Sequence, residues 1–245
     1  MGSDARMAWS TLESRKMKEL SIFLLVLLLS SALGAEPLPI RFPDGVKASP
    51  EDILVSVSRA QGRIDKFAQE HGWEAYSRPL AYDSVEIYRS ADKLADRIRE
   101  MYDLGPDVKL PGPPVAGLEK RVLLSVTPQS FQKLRSTQTE PLVFEKLLAH
   151  EIGHRLHVAI LDGNEEAMGP RWFYEGFAVV AAGQMNRGLA QPEEARRYMN
   201  SNDYESYGKL LRLCLTKWDL PTLVKRAGQS GFDEWVLEGL KTLPD

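Results

Sequence analysis

Five consecutive residues concentrate the chemistry of this chain: His150-Glu151-Ile152-Gly153-His154. On an α-helix, residues i and i+4 project from nearly one side, about 6 Å apart along the axis, so two imidazoles can close on one ion. Neutral imidazole nitrogens at about 2.0 to 2.1 Å suit Zn²⁺, which is redox-inert and tolerates an open fourth position. Glu151 projects beside them, where its carboxylate could take a proton from a metal-bound water whose pKa has dropped to about 7, as a general base does. The chain has 4 histidines, and His150, His154 and His157 fall close together on one apolar segment. That concentration argues against two unrelated histidines.

His157 is the nearest third ligand by sequence and is rejected. It shares the stripe, but at about 1.5 Å per residue it lies roughly 10 Å up the axis from His150. Packing or a supporting hydrogen bond is the role expected of it. A metzincin continuation would need a glycine and a histidine where His157 and Ile160 stand. Trp172-Phe173-Tyr174-Glu175-Gly176-Phe177-Ala178 offers a better ligand, because it holds a single acid in an otherwise apolar run. A carboxylate on a buried face is costly unless paired or bound to metal. Glu beside His, His and water would complete the open tetrahedral site of a catalytic zinc centre. The alternative is a helix-start Glu stabilised by the macrodipole after Pro170.

The elements that must position these residues are legible in outline. Ser49-Pro50-Glu51 combines an N-cap, a proline for the first turn and an acid, and Ile53, Val57, Ile64 and Phe67 then recur at helical spacing up to Gly72. Val85 to Arg89 alternates like a half-buried strand, and Ser90 caps a helix carrying Leu94, Ile98 and Met101. Asp107 to Val115 is a proline- and glycine-rich loop, and Arg121 to Val126 is a second strand closed by Pro128. Beyond Glu140 the pattern is helical: Pro141 to about Leu161, a turn at Asp162-Gly163-Asn164, Pro170 to about Ala182, Pro192 to Leu215 and Pro221 to Leu243. The turn folds the Glu175 segment back over the two imidazoles. Gly153, inside the site helix, marks a close approach by a strand or helix. Strands mixed with helices, then helices alone, predict an α+β fold.

Composition narrows the function. The 245 residues carry 31 basic and 34 acidic side chains, a formal charge of −3, so no positive excess is available for a phosphate backbone and nucleic acid is not an expected partner. The lone Cys214 cannot supply a thiolate ligand set, which leaves nitrogen and oxygen to hold any metal. Leu20 to Ala35 is an apolar run shorter than the roughly 20 residues a bilayer span needs. It follows Arg15, Lys16 and Lys18 and ends in small residues, the pattern of a signal peptide over residues 1–35, with Met17 an alternative start. The expectation is export to the periplasm or medium, with no stable membrane insertion after cleavage. An uncleaved signal anchor would tether the domain instead. Residues 36–245 are then one domain, long enough to bury a core without disulfides.

His-Glu-Ile-Gly-His followed by Trp-Phe-Tyr-Glu-Gly-Phe-Ala resembles the gluzincins, zinc metallopeptidases of the thermolysin and aminopeptidase type, and among them the small peptidase MA-like domains. The resemblance covers roughly residues 85 to 215. It implies a zincin-like domain with a small mixed sheet, an active-site helix and a helical C-terminal half, zinc on His150, His154 and Glu175, and Glu151 as base. It also implies a strand beside the site that pairs with extended peptide, a role Arg121 to Val126 could fill. Ala116-Gly117-Leu118-Glu119-Lys120 is similar to the aminopeptidase Gly-x-Met-Glu-Asn segment, but Met and Asn are absent and exopeptidase activity is not inferred. Asn202 to Gly208 resembles the family's Tyr-x-x-Ser-aromatic segment, making Tyr204 and Tyr207 the candidates for stabilising a tetrahedral oxyanion. The expected function is an exported zinc metallopeptidase acting on a peptide or protein substrate. Its rivals are a zinc-containing peptide-binding domain without turnover and a zinc hydrolase acting on another bond.

Overall fold

Short polar side chains start several of the helices. In the computed structural model, which describes residues 38–78, 80–110, 112–135 and 140–243, Ser49 Oγ accepts from the Asp52 N–H at the head of α1 (Pro50–Glu70). Ser90 does the same for Lys93 at α3 (Ala91–Met101), after the single turn α2 (Glu74–Ser77). Thr127 caps α4 (Pro128–Leu134) through Ser130. Each such cap stabilises its helix by about 1 kcal/mol. Pro128 closes the preceding strand as expected, but it also opens α4, because a proline in the first turn loses no hydrogen bond.

Four strands form the sheet in the order β1 (Ile40–Arg41), β2 (Ser84–Tyr88), β4 (Val122–Val126), β3 (Ala116–Glu119). β1 and β4 both run parallel to β2, and β3 runs antiparallel to β4. The expected half-buried strand is instead buried along its whole length, with a strand on each side of β2 and α3 against it. Its one acid, Glu86, is 3% exposed and accepts from Tyr88 Oη at 2.7 Å and Arg97 Nε at 2.9 Å, which satisfies a charge that would otherwise be costly there.

β3 was not legible as a strand. The β3–β4 hairpin turns on Lys120 and Arg121, both at positive φ (45° and 63°), where the two-residue turn ordinarily carries Asn-Gly or similar. Arg121 is held in that conformation by Asp83, whose carboxylate accepts at 2.6 and 2.7 Å and whose N–H donates to the Arg121 carbonyl at 2.8 Å. The hairpin corrects the expectation that Arg121 to Val126 offers a free edge for peptide. β4 is paired on both sides, and the edge strand is β3.

The helical half is built on α5 (Val143–Ile160), which packs between α1 and α6 (Arg171–Ala181), and α6 packs in turn on α8 (Tyr204–Cys214). α5 starts two residues after Pro141, because Leu142 adopts a left-handed φ of 57°. The segment expected as one helix from Pro192 to Leu215 is broken: α7 (Ala195–Met199) ends before Asp203, which caps α8 by accepting from Glu205 and Ser206. The last expected helix likewise divides into α9 (Leu220–Ala227) and α10 (Phe232–Leu240) around Gly231, at φ 77°. Trp172, Phe173 and Phe177 of α6 are buried at the centre of the core, and Trp172 Nε1 donates to Asp233 of α10 at 2.8 Å.

Ile40–Asp245 forms one compact unit, an α+β arrangement with a small mixed sheet. Among the described residues no helix is long and apolar enough to cross a membrane. The leader read at residues 1–35, with its alternative start at Met17, lies outside the described residues.

Candidate metal centre

Three packing facts bring the site together. α5 ends in a reversal at Asp162 and Gly163, where the Gly163 N–H donates to the Val158 carbonyl at 2.9 Å, so the chain turns back as the Asp-Gly-Asn sequence predicts. α6 then lies against α5 with Gly153 at the contact: a Cβ there would sit 3.5 Å from Ala178 Cα and 3.6 Å from Ala181 Cβ, ordinary packing distances, so the glycine faces a neighbouring helix but the contact is not close enough to require it. On the other side of α6, a Cβ on Gly176 would come 3.0 Å from the Tyr207 carbonyl, and one on Gly208 would come 2.6 Å from Val179. These two glycines let α6 and α8 approach closely, which sets Glu175 and Tyr204 around the same point.

At that point the side chains of His150, His154 and Glu175 converge. His150 Nε2 lies 3.1 Å from Glu175 Oε2 and 3.1 Å from His154 Nε2, and His154 Nε2 lies 3.3 Å from the same carboxylate oxygen. His150 is 7% and Glu175 8% exposed. The helix-start alternative for Glu175 therefore does not describe its environment, since its carboxylate is turned onto the imidazoles.

The arrangement of donors and acceptors suits a cation. His150 Nδ1 lies 2.9 Å from Gln184 Oε1, an acceptor, so Nδ1 carries the proton and Nε2 presents a lone pair. That lone pair faces a carboxylate oxygen and a second imidazole nitrogen, a crowded set in a poorly hydrated place that a shared proton or a cation among them would relieve. The three donors can hold a metal ion, their ligand atoms all lying within 4.8 Å of one another. Neutral nitrogen and carboxylate oxygen are a fitting donor set for a borderline divalent metal.

The ionisable groups answer to the same crowding. Burial by itself would raise the Glu175 pKa, but the His150 and His154 imidazoles, when protonated, outweigh it and hold the carboxyl down at about 2. His150 is depressed by burial and raised by more through Glu175 and the neighbouring Glu151. Glu151, half-buried at the cleft floor, has its pKa raised, first by desolvation and then by Glu175 and Glu119, against the pull of His150 and His154. A carboxylate raised in this way is a better proton acceptor than a free one.

His157 is fully buried, stacked on Phe177 at 4.4 Å between centroids, with no hydrogen-bond partner on either ring nitrogen. Its role is packing. The two tyrosines separate. Tyr204, the first residue of α8, is 37% exposed, stands edge-on to His150 at 5.6 Å and lines a cavity together with His150 and Glu151. Its phenol is kept protonated by burial and by the charges of Glu175 and Glu151, with Arg171 opposing. Tyr207 is 1% exposed and its hydroxyl donates to the Ser201 carbonyl, so it is occupied in packing α8 and lines neither cavity beside the cluster.

Gln184 and Tyr174 escaped the sequence reading. Gln184 follows Gly183 (φ 62°) just after α6, where its N–H donates to the Val179 carbonyl at 2.9 Å and its carbonyl accepts from Arg212 at 2.7 Å. The Gly183 stop signal was visible, but nothing marked the next residue as a partner for a histidine 34 positions away. Tyr174 stands 5.9 Å from the His154 ring and lines the other cavity. Comparison with known protein families, with curated proteins and with solved structures finds no match to this chain.

Proposed function

We propose that this chain is a zinc metallopeptidase of the gluzincin type, exported by its N-terminal leader. The observation that carries the reading is the convergence of His150, His154 and Glu175 at 3.1 to 3.3 Å, with Glu151 beside them on the floor of a cleft bounded by the edge strand β3. A zinc ion held by those three side chains would supply Lewis acidity, lowering the pKa of water and polarising a carbonyl. Glu151 takes the proton from the attacking water and returns it to the departing amine, a cycle suited to its raised pKa. Tyr204 donates a hydrogen bond to the oxygen on which negative charge develops. Gln184, accepting from His150 Nδ1, would leave Nε2 free to bind an ion.

β3 supports the peptide part of the reading. Val126 N–H donates to the Val115 carbonyl at 3.0 Å, which fixes the alternation along the hairpin: Gly117 and Glu119 turn their backbone groups to β4, while Ala116 and Leu118 turn theirs to the free edge. An extended peptide can pair there beside the cluster.

The test is elemental analysis of the chain from Glu36, purified without added metal or a histidine tag, with peptide and ester hydrolysis measured in parallel. Close to one zinc per chain, lost in His154→Ala, and peptide turnover lost in Glu151→Gln with zinc retained are the expected results. Zinc without turnover of either substrate would make this a binding domain, and ester turnover alone would move it to another hydrolase class. A chain that takes up no zinc even when supplied with it would end the metal reading altogether.

A further inference from the structure

The space on either side of the cluster says which bonds such an enzyme can reach. Two cavities meet at Glu151. The smaller, about 500 Å³, is lined by Leu147, His150 and Glu151 of α5 and by Val115 and Ala116. The larger, about 760 Å³, is lined further along the same helix by Glu151, His154, Val158 and Ala159, and along the same strand by Leu118, Glu119 and Lys120. Both helix and strand therefore order the two cavities end to end. From Leu147 to Ala159 the helix advances about 18 Å, the length of about five residues of extended chain.

The larger cavity continues past Glu119 to Arg121, and across to Tyr76, Arg78 and Leu80. A carboxylate that captured the ammonium of a one-residue overhang would leave this stretch unused. Its three arginines are paired, Arg121 with Asp83, Arg155 with Glu165 at 2.7 Å and Arg78 with Asp65 at 3.5 Å, while Glu119 accepts from the Tyr102 hydroxyl and Lys120 donates to the Met101 carbonyl. The same wall exposes large apolar side chains, Tyr76 at 42%, Leu80 at 37% and Tyr102 at 47%. The lining is mixed, with charged side chains among the apolar ones, and the exposed Tyr76, Leu80 and Tyr102 are the part of it that offers apolar ligand groups a surface.

Resting on the metallopeptidase reading, we infer that the substrate is an extended polypeptide segment occupying both cavities, cut at an internal bond, with a bulky apolar side chain seated in the larger one. No chain terminus is needed for recognition. Binding energy comes from the β3 edge and from the Tyr76, Leu80 and Tyr102 wall.

The test uses the zinc-loaded chain and random-sequence decapeptides in two forms, one acetylated and amidated at its ends and one with both ends free, with cut positions mapped by mass spectrometry. Both forms should be cut internally at rates within about threefold of each other, with aromatic or large aliphatic residues enriched on one side of the cut. Removal of single residues from free ends, with blocked peptides cut more than a hundredfold more slowly, would overturn the inference and leave the peptidase reading standing. Internal cuts without apolar enrichment would overturn the assignment of the larger cavity. No cleavage of either form by a chain that holds zinc would overturn the peptidase reading and this inference together. In a second variant, Leu80→Asp, on the exposed wall, the apolar enrichment should fall at least fivefold, and an unchanged cut pattern would refute the role of that wall.

Discussion

His157 carries a pH dependence that can be worked out from its surroundings. The ring is wholly buried against Phe177 and Phe173, and burial, with the charge of His154 adding to it, depresses its pKa to about 3. In the unfolded chain the same group titrates near 6.5. Below that value the unfolded state binds a proton that the folded state refuses, so stability falls as pH falls. At about 1.36 kcal/mol per pH unit, lowering the pH from 8 to 5 costs about 2 kcal/mol through this residue. For a domain of this size that corresponds to roughly 4 to 8 °C in Tm. The perturbation is His157→Phe, which keeps a ring in the stack and removes both unpartnered nitrogens, with His157→Leu as a second variant should the larger ring crowd the core. Urea unfolding followed by circular dichroism at pH 8 and pH 5, with chelator present so that zinc uptake does not enter, gives the difference from wild type. Titrations common to both proteins cancel in it. At pH 8 the variant should match or exceed wild type, by about 1 kcal/mol, because an unsatisfied buried polar group is removed, and at pH 5 the gap should widen by about 2 kcal/mol. Parallel pH dependences for wild type and both variants would refute the depressed pKa.

Gln184→Ala should lower zinc affinity by about 10- to 100-fold in a chelator competition, as loss of a ligand's supporting hydrogen bond does, and an unchanged affinity would remove Gln184 from the centre. Tyr204→Phe should lower kcat by about 10²-fold with KM nearly unchanged, whereas Tyr207→Phe should affect only stability, and the reverse pattern would exchange their roles. Gly176→Ala should destabilise by about 1 to 3 kcal/mol, because the added methyl meets the Tyr207 carbonyl at 3.0 Å. Gly153→Ala meets its neighbours at 3.5 Å or more and should instead be neutral or stabilising by up to about 1 kcal/mol. Equal urea midpoints for these two variants would refute the difference in closeness between the two contacts.

What could be read along the chain was whatever depends on neighbours in sequence. The i, i+4 pair of histidines, the serine-proline helix starts and the Asp-Gly-Asn reversal are local, and the site helix with its turn follows from them. Even the place of Glu175 in the cluster was accessible, because an acid in an apolar helix announces that it needs a partner. The edge strand was hidden by a hairpin turn built on Lys120 and Arg121, whose left-handed backbone is held by Asp83, 38 positions from Arg121, rather than by a turn sequence. Gln184 was hidden for the same reason: a hydrogen bond to His150 across two helices leaves no periodicity to read. Tyr204 and Tyr207 are three positions apart and alike in composition, and only the packing of α8 on α6 turns one toward the cluster and the other to the Ser201 carbonyl. Short-range signals wrote the cluster. The register of packed helices and strands, set by close approaches at Gly176 and Gly208, decided what stands around them.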